Sequence, residues 1–275
     1  MSQQEQGLVK ANAGLVATVL QAKVAESFKA RFNGDKEYKD AFYSALVNIA
    51  KTNDAIAKCD ITSVLVAAAN CAQLGLLPIV GLDHAYIVPY GSDATLIIGY
   101  KGYIELARRS GRIKAVNVEI IYEHDDFNFT AGLNPILTHI PFWLRKPAKE
   151  EAGAIKGAYV VVEFDNGSHQ CDVFSYAELL KSKEASKSAK SPYSPWQKWE
   201  IEMLKKTAIR KASKRWPLSI MMAKAEQLDT DADLGRKQEA DISDIIPEAS
   251  MPLTGKANKP APEEPKEKKE LGFDE

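Results

Sequence analysis

The chain has 275 residues, 45% of them apolar, which is enough for one sizeable core and too much for a disordered protein. Its formal net charge of −1 hides a segregation. Between Lys181 and Lys224 there are twelve Lys/Arg against three Asp/Glu, and from Ala225 to Glu275 seven against fourteen. Three cysteines without a C-x-x-C pair argue against a disulfide framework and a structural zinc site. The chain begins with no basic-then-apolar leader and has no run of eighteen apolar residues, so a reducing, cytoplasmic setting without a membrane is expected.

In chain order, residues 1–10 read as a loose polar tail, and 11–227 as one domain. Helical periodicity covers about 12–31, 36–57 and 62–77, the third so poor in charge that burial is expected, with Pro78 closing it. HAYIVPY and ATLIIGY around Gly91, Ser92 and Asp93 predict a β-hairpin. KGYIELARRSG predicts a short helix stopped by Gly111. KAVNVEIIYE alternates as a strand, DFNFT does so more weakly, and LNPILTHIPFWLRKPAKEEAG reads as a long irregular excursion. KGAYVVVEF and SHQCDVF flank Asp165, Asn166 and Gly167, where the Asn-Gly pair predicts a tight hairpin with both positions at positive φ. Ser175 with Glu178 and Ser194 with Gln197 read as capping boxes, the second with Pro195 at the first helical position. A last helix, LSIMMAKAEQL, leads to residues 228–275, whose Pro, Glu and Lys content predicts a disordered acidic tail.

Several chemistries are missing. There is no phosphate-binding G-x-x-x-x-G-K-[ST] loop, Gly99 and Gly102 are too few for a dinucleotide fingerprint, and His84, His124, His139 and His169 stand apart as structural or surface residues. A metal-dependent nuclease would want clustered carboxylates, whereas Asp125 and Asp126 are adjacent and Glu264 lies in the tail. A sequence-specific DNA-binding regulator would want a helix-turn-helix, which does not stand out.

The segment from Trp196 to Pro217 is richest in signal. On a helical wheel Ile201, Leu204, Ala208 and Ala212 share a packing side, while Trp199, Met203, Lys206, Arg210 and Lys214 fall opposite. Rings and cations on one stripe suit a single-strand platform, where cations track phosphates and rings stack bases. The same pattern suits a helix whose Trp199 and Met203 complete a core while its lysines face water, and the residues alone leave both readings open. A second basic patch comprises Lys101, Arg108, Arg109, Arg112 and Lys114, with Lys101 and Gly102 at a helix start suited to phosphate. Tyr86 and Tyr90 share a strand face and read as either core edge or base platform.

Three long stretches, CAQLGLLPIVGLDHAYIVPYGS, LIIGYKGYIELARRSGRI and PWQKWEIEMLKKTAIRKASKRWPLSI, occur in the order in which they resemble the RecT family of phage and prophage single-strand annealing recombinases. The resemblance spans roughly residues 40–226. It implies an α+β fold, a mixed sheet of hairpins flanked by helices around a Rad52-like annealing core. It further implies a DNA-binding protein, without bond chemistry, ATP or cofactor, that pairs complementary single strands, holds the annealed duplex and assembles as a ring or helical filament. A cognate exonuclease and a host single-strand-binding protein are the implied partners. By position, the family's basic motif residues fall on Lys101, Arg108, Arg109, Lys198, Lys205, Lys206, Arg210 and Lys214; Trp199 joins them from the wheel, and Lys206 and Arg210 are expected on phosphate. The tail from Asp229 onward reads as a docking segment, a screen for basic surfaces or a solubility tail.

Overall fold

The computed structural model describes residues 14–32, 34–132, 135–146, 151–187, 189–190, 194–217 and 219–245. The helical elements are α1 (14–19), α2 (Ala22–Arg31), α3 (Lys36–Thr52), α4 (Asp54–Ala57), α5 (Ile61–Leu74), α6 (Tyr100–Arg109), α7 (Tyr176–Ala185), α8 (Pro195–Lys198), α9 (Glu200–Ser213) and α10 (Ile220–Asp233). The strands are β1 (Ala85–Tyr90), β2 (Asp93–Ile98), β3 (Ile113–Tyr122), β4 (Asp126–Thr130), β5 (Ile136–Ile140), β6 (Ile155–Phe164) and β7 (His169–Ser175).

The strands form three small antiparallel sheets: hairpin β1–β2, the three-stranded β3–β6–β7, and hairpin β4–β5. In the central sheet Val116, Val118 and Ile120 lie opposite Val162, Val160 and Ala158, all buried, because alternation sends every second side chain inward. Helices α6, α7 and α9 pack on this sheet, and α5 and α10 pack on β2. Helix α5 is buried nearly all round, as its lack of charge requires; the Asp60 carboxylate caps its start and Gly75, at φ 63, ends it ahead of Pro78.

Three long helical patterns are broken by the chain itself. Residues 12–31 divide at Leu20 and Gln21. Residues 36–57 divide at Asn53, whose side-chain oxygen accepts from the Ala55 and Ile56 amides and so starts a new helix. The segment from Trp196 divides at Trp199, whose backbone (φ −137, ψ 58) is not helical. The expected irregular excursion contains a strand: Ile136–Ile140 pairs with Asp126–Thr130 over five residue pairs. At the Asn166-Gly167 turn only Gly167 takes positive φ (77); Phe164 O accepts from the Gly167 amide at 3.0 Å and Phe164 N donates to Ser168 O at 2.9 Å, a three-residue loop closed by a glycine bulge. Ser175 caps the Glu178 amide as expected, whereas Ser194 accepts from Trp196 N and Gln197 turns to Ala189 O, so the second box does not form.

The fold runs past residue 228, where the tail was expected to start. Helix α10 continues to Asp233, and the following segment returns along β2 and α5. There Gln238 bonds Leu96 at both N and O, Asn70 Nδ2 donates to Glu239 O at 3.1 Å, Arg31 pairs with Asp244, and Ile242 and Ile245 are buried. Residues 1–13 and 246–275, including most of both expected tails, lie outside the described residues.

Candidate nucleic-acid interface

The first half of the candidate face is built where the turn before β1 meets the start of α6. Gly99 and Gly102 face the carbonyls of Asp83 and His84 so closely that a Cβ on either would collide with backbone. This notch lets Gly99 N donate to His84 O at 3.0 Å and pins the turn to the helix. Asp83 sits at φ 56, the one positive-φ non-glycine residue among those described, and its carboxylate accepts from Lys101 Nζ (2.8 Å) and Tyr86 Oη (2.9 Å). Those bonds, the one from Lys101 foremost, hold the Asp83 carboxyl below the usual carboxylate range. At the start of α6, where the amides of Lys101 and Gly102 were expected to suit phosphate, Gly102 is buried and Lys101 partly exposed.

Helix α9 supplies the second half. Lys205 Nζ lies 5.9 Å from the centroid of the Tyr100 ring and 3.2 Å from Glu119 Oε2 on β3. Tyr100 is also close enough to Lys101, on its own helix, for the two to interact electrostatically, as Glu202 does with Lys101. Tyr122, at the end of β3, is close enough to Lys205 for that charge to oppose the upward push that burial gives its phenol. Tyr86, Tyr100 and Tyr122 thus accompany two cations, with Asp83, Glu119 and Glu202 as the acidic groups nearby.

The break at Trp199 turns its ring outward, 57% exposed. Beyond it the expected stripe does not hold. Ile201, assigned to the packing side, is 40% exposed, while Leu204, Ala208 and Ala212 are buried as expected. Lys206, expected at the surface, is 5% exposed; its ammonium lies 2.8 Å from Asp229 Oδ2. Asp229 also accepts from Tyr103 Oη (2.7 Å) and Ile98 N (3.2 Å), so one buried carboxylate ties β2, α6 and α9 to α10. Burial pushes the Lys206 pKa down, with Asp229 opposing. The wheel failed because it cannot show what packs on a helix: α6 lies against α9, and Asp229 of the next helix, α10, reaches the Lys206 ammonium. In this conformation Lys206 has no phosphate-facing surface.

Arg210 is half-buried and turned to the same helix, donating to Asp233 Oδ2 (2.8 Å) and Thr230 Oγ1 (3.2 Å). Burial works against its charge, but Asp229, Tyr103 and Asp233 outweigh it and hold the guanidinium above its usual value. Arg109, at the far end of α6 from Lys101, donates to Leu74 O at 2.8 Å and lies 3.4 Å from Glu105. Arg108 and Lys214 are exposed and form no ion pair among the described residues; Lys198 is exposed at the end of α8. Arg112 and Lys114 follow α6, and Lys114 pairs with Glu163 at 2.6 Å. All five of these cations have protein partners: Lys101 and Lys205, both in reach of Tyr100, pair with Asp83 and Glu119, Arg210 and Arg109 turn to Asp233 and Leu74 O, and Lys206 is buried on Asp229.

Among the described residues, no group of three or more His, Cys, Asp and Glu stands where it could hold a metal ion, and no helix is long and apolar enough to cross a membrane. His139, read as structural, bonds Asp125 Oδ2 through Nε2 (3.0 Å) and Tyr159 Oη through Nδ1 (3.2 Å).

A mixed α+β domain with cations and aromatic rings gathered at one place has the composition that single-strand binding requires. The model of the RecT family matches residues 40–245. The chain belongs to the RecT family, which comprises DNA recombination and annealing proteins. It is 33% identical to Protein RecT of Escherichia coli (strain K12) over 196 residues, covering 67% of this chain and 70% of that protein. It is 31% identical to the uncharacterized protein YqaK of Bacillus subtilis (strain 168) over 208 residues, 74% of this chain and 70% of the relative.

Proposed function

We propose that this chain is a cytoplasmic, ATP-independent single-strand annealing protein of phage-type homologous recombination. It binds single-stranded DNA, pairs it with a complementary strand and retains the duplex, working as a ring or helical filament of identical subunits around a Rad52-like core, without cofactor or bond chemistry. A cognate exonuclease supplies its substrate strands, and a host single-strand-binding protein meets it on them. The observation that carries the reading is Lys205 over the Tyr100 ring, with Lys101 in electrostatic reach of the same phenol, in a RecT-family chain.

The physical task is to bring two polyanions together. Cations on the protein neutralise phosphate, and the released counterions drive binding, which therefore weakens steeply with salt. Rings such as Trp199 and Tyr100 stack bases without reading their identity, at about 1–3 kcal/mol per base. Watson–Crick edges must remain open, so sequence selection belongs to the incoming strand. Lys101, Lys205, Arg108, Lys198 and Lys214 are assigned to phosphate. Lys101 and Lys205 reach phosphate by leaving Asp83 and Glu119, Arg109 and Arg210 by leaving Leu74 O and Asp233, and Lys206 is assigned to the fold.

The test is strand annealing with two complementary labelled oligonucleotides and no nucleotide triphosphate, with the size of the product complex measured alongside. Pairing faster than in protein-free controls, on particles far larger than one 275-residue chain, supports the reading. Pairing no faster than in the controls refutes it.

A further inference from the structure

The segment after β5, Phe142-Trp143-Leu144-Arg145-Lys146, places an indole and an isobutyl group in water. Trp143 is 57% and Leu144 62% exposed, on a short 3-10 turn (Phe142–Leu144). The turn is held rigidly. The Asp125 carboxylate, with its side chain 1% exposed, accepts from Phe142 N (2.8 Å), Tyr122 N (2.7 Å) and His139 Nε2 (3.0 Å). Arg145 donates to His124 O at 2.7 Å, and Leu144 N to Pro141 O at 2.8 Å. A buried carboxylate with three donors thus fixes the backbone beneath two exposed apolar side chains, an arrangement that core packing does not require.

The rings continue the face already described. Phe142 meets Tyr122 edge-on at 6.4 Å and Trp143 at 4.9 Å with an interplanar angle of 89°. Tyr122 is the ring within reach of Lys205. The line therefore runs from Tyr100 and Lys205 through Tyr122 and Phe142 to Trp143, with Arg145 and exposed Lys146 beside its end. A protein-docking patch of this size would ordinarily be ringed by mixed polar groups, whereas cations at one end and a cation–aromatic pair at the other match a strand of alternating bases and phosphates.

We infer that Trp143 stacks an unpaired nucleobase while Lys146 takes a neighbouring phosphate, making the turn that directly follows β5 a second contact for single-stranded DNA beyond the α6–α9 face. The inference rests on the single-strand-binding reading above and extends the strand path along the Tyr122–Phe142 rings. The clasp at Asp125 fixes the backbone of the turn and Phe142 packs edge-on against the indole, so little ordering is lost on binding.

Tryptophan emission separates this contact from the rest. Of the four tryptophans, Trp196 and Trp216 are buried, so in a Trp199→Phe full-length protein Trp143 is the exposed reporter. Titration with oligo(dT) is expected to lower its emission, and Trp143→Phe in that background to remove the drop while a fluorescently labelled strand still binds by anisotropy. Trp143→Ala is expected to bind about tenfold more weakly. Should Trp143→Ala fold poorly, the phenylalanine pair decides, since it keeps a ring against Phe142. Strand binding by Trp199→Phe without any emission change overturns the contact and leaves the DNA-binding reading intact. The same silence together with altered sedimentation of Trp143→Ala in the absence of DNA assigns the loop to self-association and equally overturns it. No strand binding by the unmodified chain overturns the reading and this contact with it.

Discussion

Lys206 Nζ lies 2.8 Å from Asp229 Oδ2 with both side chains almost wholly out of water. A buried pair contributes little net stability, but removing one partner strands the other, at about 3–5 kcal/mol. Asp229→Ala should therefore lower the unfolding free energy by about that much in urea denaturation. Lys206→Met with Asp229→Leu should recover part of the loss, and only part, since Tyr103 Oη and Ile98 N remain without their acceptor. Lys206→Ala should reduce DNA binding only in proportion to the protein unfolded. A fully stable Lys206→Ala protein with a shallower salt dependence would reassign the ammonium to phosphate.

Residues 229–245 belong to the fold. A chain ending at 228 loses Asp229, the Gln238 bonds to Leu96, and buried Ile242 and Ile245, and should unfold or aggregate. A chain ending at 245 should keep its melting temperature within a few degrees, as read by circular dichroism on heating. Equal stability of the two would show that the returning segment is dispensable.

Much of this was legible in sequence, and the failures share a cause. The β1–β2 and β6–β7 hairpins, α5 burial and the Gly111 stop follow from local rules, because alternation, charge poverty and turn residues act over a few positions. Lys206 was misplaced because a helical wheel shows which residues share a side but not what packs on it, here α6 and Asp229 of α10. Ile136–Ile140 was missed because its alternation is only five residues long and ends at Pro141, while its pairing with β4 is not local. The sequence pointed to Lys101 and Trp199, whereas the packing of Phe142 on Tyr122 at the end of β3 is a contact between distant segments that local rules do not predict. The F-W-L-R-K interleaving of rings and cations was the available signal.

If Lys101 meets phosphate as proposed, Asp83, which holds its ammonium at 2.8 Å, competes with the strand. Asp83→Asn keeps a carbonyl for Tyr86 and removes the charge, so single-strand affinity at low salt should rise a few-fold, measured by anisotropy of a labelled strand. Unchanged affinity would mean that Lys101 does not meet DNA.

The same carboxylate gives the turn an acid limit. Because Lys101 and Tyr86 hold its folded pKa below the unfolded value, its stabilising contribution is complete above the ordinary carboxylate range and is lost as pH falls through the lowered value. The Asp83→Asn protein should therefore show a smaller loss of melting temperature than the unmodified chain between pH 5 and pH 3. Parallel losses would contradict the linkage.

The proposed assignment of Lys101 and Lys205 to phosphate is tested most directly by the salt dependence of single-strand binding. Each phosphate contact on a single strand contributes about 0.7 to the slope of log K against log salt, so Lys101→Ala with Lys205→Ala should flatten that slope by about 1.4 and weaken binding alike on every sequence. A double variant that keeps the full slope and affinity would place the DNA on another surface.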